Sequence, residues 1–252
     1  MNNSITDLLS SHRHLLDQET DALVAAIQKD ERFKMDPCLS RGDTLRLLNL
    51  ENENAFSDWL AWCLGRNGNR EAIGNQLTGI FGDEFLLGQR FTVSREEVVE
   101  QGHDGQKGRL DLLLLDEVNK TFQVIEVKVR KPVNEELRKN AGYRKSILNR
   151  HPDWSGSFSV LTPNRHEDDL NDGFMYVSWS DVSSALRKGL MFRNGCNQYE
   201  AGIISCYVAA IESAILRFPV ERLRSFIEQP SQSRRWTTGG DFLDYIRKVY
   251  GY

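Results

Sequence analysis

Between residues 109 and 129 the chain reads RLDLLLLDEVNKTFQVIEVKV, two short apolar runs separated by the polar stretch Glu117-Val118-Asn119-Lys120. Runs of this length, broken by a turn, predict two antiparallel strands over 109–116 and 121–129. A hairpin that folds symmetrically about Val118 and Asn119 sets Asp111 opposite Glu126. Opposed residues carry Cβ atoms about 4.5–5.5 Å apart and side chains alternate along a strand, so Lys128 shares a face with Glu126. Two carboxylates and one ammonium then converge on one patch. A slip of one residue turns Asp111 to the other face, so everything built on this patch depends on the register.

Charged groups inside so apolar a hairpin cost several kcal/mol, on the order expected for buried ions, unless they are paired or hold a cation. Two adjacent carboxylates with a backbone carbonyl beside them, here that of Val127, make the all-oxygen donor set that Mg²⁺ prefers and leave room for water and a phosphate. In outline this is a hydrolytic site. The cation supplies Lewis acidity, while Lys128 orients a nucleophile or neutralises charge growing on phosphorus.

The flanking sequence supplies the rest of an α/β layer structure. Phe56, Trp59, Leu60, Cys63 and Leu64 recur at helical spacing over 52–64 and stop before the loop Gly65-Arg66-Asn67-Gly68-Asn69; a short helix is expected around 70–81. Residues 89–99 form a third strand of the meander, joined to 109–116 by the turn-rich HDGQKG. A helix is expected over 134–150 with Leu137, Ala141, Ile147 and Leu148 inward, then strands in SFSVLT and FMYVSW, and a helix starting at the N-cap pair Ser180-Asp181. Helices are expected over 4–29, 199–217 and 241–249, and 44–50 is apolar enough to enter a core. One mixed sheet covered by helices accommodates this order.

On the 52–64 helix, Phe56, Leu60 and Leu64 fall within about 60° of Glu53 at ~100° per residue, which turns Glu53 toward the core and Glu51 toward solvent. An inward Glu53 near the sheet is a further candidate ligand for the metal or water.

Composition narrows the partners. The chain has 252 residues, 40% hydrophobic and 27% charged, which excludes a disordered or collagenous protein. Its formal charge of −4 gives no global attraction to a polyanion, so nucleic acid would have to meet a local basic surface. The 130–150 stretch offers one, with Lys139, Tyr143, Arg144 and Lys145 as the expected nucleic-acid-binding residues and Arg130, Lys131, Arg138 and Arg150 around them. Cys38, Cys63, Cys196 and Cys206 form no C-x-x-C pair, and His12, His14, His103 and His166 read as surface residues; neither a structural zinc nor a disulfide framework is expected. The first residues, MNNSITDLLSSHRHLLDQE, read as an amphipathic pattern rather than a signal or transit peptide, and no apolar run approaches ~18 residues, so a soluble cytoplasmic chain is expected. Arg234-Arg235-Trp236 reads as a helix-flanking anchor, and Ile203, Ile204, Tyr207, Val208, Ile211 and Ile215 as a packing stripe, with the terminal helices the expected surface for a second copy or a partner protein.

Asp111 followed by Glu126-Val127-Lys128 resembles the core motif of the PD-(D/E)XK nuclease superfamily, an acidic residue on one strand and E-x-K on the next. The resemblance is to a bacterial branch that also has an upstream E-x-x-H-S helix, matched here by Glu53-Asn54-Ala55-Phe56-Ser57 with Leu60-Ala61-Trp62-Cys63-Leu64, and later by Arg95-Glu96 and Gly108-Arg109-Leu110-Asp111. Leu161-Thr162-Pro163 and Val177-Ser178-Trp179-Ser180-Asp181-Val182 resemble its later strand and helix starts. The resemblance implies a restriction-endonuclease-like core over 51–190, a central mixed β-sheet with an antiparallel meander flanked by helices. It leaves an N-terminal helical extension, 1–50, and a C-terminal one, 191–252.

It also implies a nuclease using Mg²⁺ or Mn²⁺ on nucleic acid, DNA in preference to RNA, in bacterial defence or restriction. Glu53, Asp111, Glu126 and Lys128 would be catalytic, with Asp111, Glu126 and Val127 holding the metal. Two positions depart from the branch: Phe56 stands in place of its His, and Lys139 in place of the Gln of its Q-L-x-x-Y helix. These put substrate handling in question more than metal chemistry. The competing readings are an inactive nuclease-fold protein that binds nucleic acid or a partner, and an interaction subunit dominated by its terminal helices.

Overall fold

In a computed structural model of the chain, the central hairpin adopts the expected register: Leu112 pairs with Ile125, and the ladder runs antiparallel through Asp116 and Thr121. Its turn is closed by Asp116, whose carboxylate accepts hydrogen bonds from the backbone N–H groups of Val118 and Asn119, both at 3.0 Å. This satisfies turn donors that the ladder cannot reach, the reason aspartate favours such positions. The structure describes residues 53–65, 71–82, 91–101, 106–130, 134–163, 173–192 and 198–217, together with Gln18, Ala22, Ala25, Ala26 and Lys29, which are helical. The remaining expectations for 4–29, those for 44–50 and 241–249, Arg234-Arg235-Trp236, Glu51, Cys38, Cys196 and the four surface histidines lie outside the described residues.

The elements are α1 (Glu53–Leu64), α2 (Glu71–Phe81), β1 (Thr92–Gln101), β2 (Gln106–Asp116), β3 (Thr121–Val127), α3 (Asn134–Arg150), β4 (Ser155–Thr162), β5 (Met175–Ser178), α4 (Trp179–Phe192) and α5 (Gln198–Ala210), the last running into a π-helical turn, Ile211–Ile215. The sheet order is β1-β2-β3-β4-β5. β1, β2 and β3 form an antiparallel meander, and β4 and β5 add in parallel. The protein is therefore an α/β fold with a five-stranded mixed sheet flanked by helices. Among the described residues no helix is long and apolar enough to cross a membrane.

Each face of the sheet closes its own core. Leu112, Leu114, Ile125, Val127, Leu161 and Val177 pack with α1, α2, α4 and α5, where Phe56, Leu60, Trp179, Tyr207 and Ile211 are fully or nearly fully buried. On the other face Leu113, Val124, Phe158, Val160 and Tyr176 pack against Tyr143 and Ile147 of α3. The expected stripe on α5 is core: Ile204, Tyr207, Val208, Ile211 and Ile215 are all buried, and the Tyr207 hydroxyl donates to the Phe56 carbonyl at 2.8 Å. A second tie is the ion pair of Arg187 on α4 with Glu212 of the π-helical turn, 2.6 Å long and almost wholly out of solvent. The Ser183 hydroxyl also donates to Glu212, at 2.7 Å.

Several boundaries and faces differ from expectation. The β1–β2 ladder continues to Gln101 and Gln106, so much of the turn-rich joining stretch is strand; backbone hydrogen bonds hold it where side-chain patterning is weak. Among the described side chains of α3, residues 141–150, Ile147 is buried as expected and Tyr143 is buried one turn before it, whereas Ala141 and Leu148 are exposed; the side chain of Leu137 lies outside the described residues. A residue next to Ile147 is rotated by about 100°, which carries Leu148 off the sheet-facing line. Helix α4 begins at Trp179, one residue before the pair Ser180-Asp181 expected to cap it. The cap is Ser178, whose hydroxyl accepts from the Asp181 N–H at 3.2 Å while the Asp181 carboxylate accepts from the Ser178 N–H at 3.4 Å and from its hydroxyl at 2.7 Å. That reciprocal arrangement satisfies donors at both ends of the first turn.

The sheet also reverses its alternation beside Asp111. Leu112 and Leu114 enter one core and Leu110 the other, although residues two apart in a regular strand share a face. Across from Asp111, between the pairs Arg95↔Leu112 and Glu97↔Leu110, Glu96 adopts φ 52°. That left-handed conformation is strained for a residue with a Cβ, at roughly 1–2 kcal/mol, and it lies directly across from the candidate carboxylate.

Candidate active site

The β2–β3 ladder ends at Leu112↔Ile125, and beyond it a side chain replaces a ladder bond. Along β3 the Lys128 N–H turns to β4, donating to the Leu161 carbonyl at 2.8 Å. The preceding N–H, that of Val127, turns back toward β2, where the Asp111 carboxylate accepts it at 2.7 Å. The strands part here, and Asp111, Glu126 and Lys128 gather around the opening.

Lys128 is the hub. Its ammonium lies 3.0 Å from Glu126 Oε1, 3.2 Å from the Val127 carbonyl and 3.5 Å from Glu53 Oε2. Its three protons thus meet three oxygens, two of them carboxyl oxygens. Glu53, first residue of α1, reaches in from the helical layer, and its other carboxylate oxygen accepts the Val129 N–H at 3.4 Å. Trp179 closes the far side, its indole N–H donating to the Lys128 carbonyl at 2.9 Å. A buried indole needs an acceptor, and this one fixes the backbone that carries Lys128.

Glu126 and Lys128 are each only 7% exposed. Burial pushes the Glu126 carboxyl up to about 7, and repulsion from Asp111 adds to the rise against the pull of Lys128. Burial also raises Asp111, opposed by Lys128 and by the Val127 N–H, with Glu53 pushing it further up and Arg95 drawing it down. For Lys128 burial acts downward, but Glu126, Asp111 and Glu53 outweigh it and hold the ammonium above its ordinary range. At neutral pH the site thus has a firmly charged cation and carboxyls reluctant to ionise. Glu126 Oε2 is buried with no hydrogen-bond partner among the described residues.

Arg95, on β1, ties α1 to the sheet beside this site. It is ion-paired with Asp58 and donates to the Ser57 hydroxyl at 2.8 Å and the Asn54 carbonyl at 3.3 Å, spanning the first turns of the helix that begins with Glu53. Sequence reasoning quoted Arg95 only as part of a family pattern and gave Trp179 no role at the site. The signal for Trp179 was its place directly after an apolar strand, where a large ring with one polar atom must find an acceptor.

The structure brings Glu53, Asp111, Glu126, Val127 and Lys128 together. The expected nucleic-acid-binding residues on α3 are placed differently from one another. Tyr143 is buried in the second core, as is Val160, the strand partner of Glu126, so it is a packing residue and its ring is withdrawn from the surface. Arg144 lies over the Phe158 ring, 5.7 Å from its centroid, and both Arg144 and Lys145 are exposed. Position 139 falls one turn before Tyr143 on α3. Phe56, in place of the branch's His, is a core residue against Trp179, with ring centroids 5.6 Å apart.

Among the described residues no three His, Cys, Asp or Glu side chains form a group that could hold a metal ion. The carboxylates present are engaged otherwise: Glu53 and Glu126 face the Lys128 ammonium and Asp111 takes a backbone N–H. The oxygens a cation would have to use are those of Asp111 and Glu126 with the Val127 carbonyl, and among them Glu126 Oε2 is buried and left over. No family model, curated protein or solved structure matches the chain.

Proposed function

We propose that this chain is a metal-dependent nuclease of the PD-(D/E)XK type, with a restriction-endonuclease-like core, hydrolysing phosphodiester bonds of nucleic acid and of DNA in preference to RNA. The observation that carries the reading is the buried, unpartnered Glu126 Oε2 in a carboxylate cluster that also contains an ammonium. An acid oxygen withdrawn from water without a partner is costly in a purely structural role and is accounted for by a ligand. Asp111, Glu126 and the Val127 carbonyl would hold Mg²⁺ or Mn²⁺, which when bound supplies Lewis acidity toward a phosphate oxygen.

The chain's own groups do the rest. Lys128, kept protonated by its neighbours, stabilises negative charge growing on phosphorus. In the metal-free protein Glu53 steadies the ammonium, and the Trp179 hydrogen bond steadies the backbone that carries it. The exposed Arg144 and Lys145 supply a basic surface on a chain of net negative charge. A place in bacterial defence rests on the family resemblance alone.

One observation favours the second reading, an inactive nuclease-fold protein that binds nucleic acid or a partner: Lys128 already neutralises Glu126 and Glu53. Supercoiled plasmid and linear single-stranded DNA incubated with the purified protein in Mg²⁺, Mn²⁺ or EDTA separate the two. The nuclease reading expects cleavage with metal, none in EDTA, and none from folded Asp111→Ala, Glu126→Ala or Lys128→Ala proteins. Cleavage that survives Glu126→Ala, or no cleavage under any condition, rejects it.

A further inference from the structure

The Lys128 ammonium is held by Glu126 Oε1, the Val127 carbonyl and Glu53 Oε2 at 3.0, 3.2 and 3.5 Å. Two of these three oxygens belong to the set that would take a divalent cation. Contacts of this length suit N–H···O bonds, whereas Mg²⁺ demands oxygens at about 2.1 Å. A dication drawing in the same oxygens would meet the ammonium at close range in a buried setting, where like charges repel strongly. The two cations therefore exclude one another. Lys128 is suited to yielding, with four flexible methylenes and no aromatic or guanidinium plane to lock it.

We infer that the Lys128 ammonium is a built-in competitor for the site's divalent cation, so that metal enters only as the lysine withdraws from Glu126 and Glu53. The idea rests on the metal-dependent reading above and adds a regulation to it. The ammonium neutralises the carboxylates in the metal-free protein, keeping the fold intact without metal, and sets a threshold of metal concentration below which the site stays closed. It also accounts for Glu126 Oε2: the ammonium engages one carboxylate oxygen and leaves the other over. A divalent ion can engage both.

The test is isothermal titration of Mn²⁺, without nucleic acid, into the parent protein and into Lys128→Met, Lys128→Gln and Lys128→Arg. The two neutral variants should bind Mn²⁺ at least about tenfold more tightly than the parent, and the Arg variant, which keeps the charge, should stay within about threefold of it. Lys128→Met leaves three carboxylates without a counter-ion and could fail to fold free of metal. Lys128→Gln, whose amide can still donate to Glu126 and the Val127 carbonyl, keeps the comparison available. Melting temperatures of the neutral variants should rise more on adding Mn²⁺ than that of the parent, because a ligand stabilises the state it binds. If the parent binds Mn²⁺ and the neutral variants bind no more tightly, the competition is overturned and the metal-dependent reading stands. If none of the four proteins binds Mn²⁺, both fall.

Discussion

Replacing Glu126 by glutamine keeps the size of the side chain and removes its ionisation, and the structure fixes both the sign and the scale of the result. In the folded protein burial and Asp111 lift this carboxyl to about 7 from an ordinary 4.5. A raised carboxyl means the folded state keeps a proton that the unfolded chain releases. Stability is therefore lost as pH climbs from the unfolded value to the folded one, and the loss is complete above it. The gap from 4.5 to about 7, at roughly 1.4 kcal/mol per pH unit, is on the order of 3 kcal/mol. Lys128 stays protonated across this window and does not change the sign. Glu126→Gln should thus be more stable than the parent by on the order of 3 kcal/mol at pH 8, with the difference shrinking toward zero near pH 4.5. Urea unfolding of both proteins at several pH values, compared at constant m-value, reads this directly. A Glu126→Gln protein less stable than the parent at pH 8, or equally displaced at pH 5 and pH 8, would refute the reasoning. A more stable protein that no longer cleaves would show a costly charge retained for chemistry.

Three further outcomes follow from other parts of the molecule. Arg187→Met removes one partner of the buried Arg187–Glu212 pair and should cost about 3–5 kcal/mol in denaturant unfolding, most of it recovered when Glu212→Leu is added. Gly156→Ala would bring a Cβ to 2.4–2.6 Å from the ring of Phe122, itself fully buried, so it should lose about 1–3 kcal/mol by the same measure, and Phe122→Leu in the same chain should relieve the added loss. Nucleic-acid binding by the Glu126→Ala protein should weaken with salt. The further pair Arg144→Ala and Lys145→Ala should lower the slope of log K against log salt by about 0.7–0.9 for each phosphate contact removed, and an unchanged slope would show α3 to be a solvated face.

The hairpin was legible because its register follows from one turn and from strict alternation: placing Val118 and Asn119 at the tip determines the partner of every residue from Leu112 to Asp116. Glu53 was legible for a similar reason, since helical spacing relative to Phe56, Leu60 and Leu64 is local arithmetic. What escaped were contacts between elements distant in sequence. Arg95 meets Asp58 and Ser57, and Trp179 meets Lys128, across separations that no periodicity encodes. The buried face of α3 was read in part: Ile147 was placed inward, but the helix is mostly polar, and Tyr143 marks the sheet-facing line more weakly than the exposed apolar residues Ala141 and Leu148 beside it. The reversal of alternation beside Asp111 could not be read either, nor could the left-handed backbone of Glu96 across from it, a residue whose type gives no hint of it.

That reversal and the charge cluster belong together physically. A regular ladder through Asp111 would spend the Val127 N–H on a backbone carbonyl and leave the Asp111 carboxylate without it. The ladder instead ends at Leu112↔Ile125, and the carboxylate takes the donor. Glu96 bears the local strain on one side of β2, while on the other Lys128 is held by Glu126 and Glu53 and by the Trp179 bond to its carbonyl. A chain selected for stability alone would fill this opening with leucine, as it does at Leu112, Leu113 and Leu114 immediately beside it. The charge buried where the β2–β3 ladder ends, at Glu126 and Lys128, costs the scaffold stability that leucine would not, and that cost is what the Glu126→Gln comparison measures.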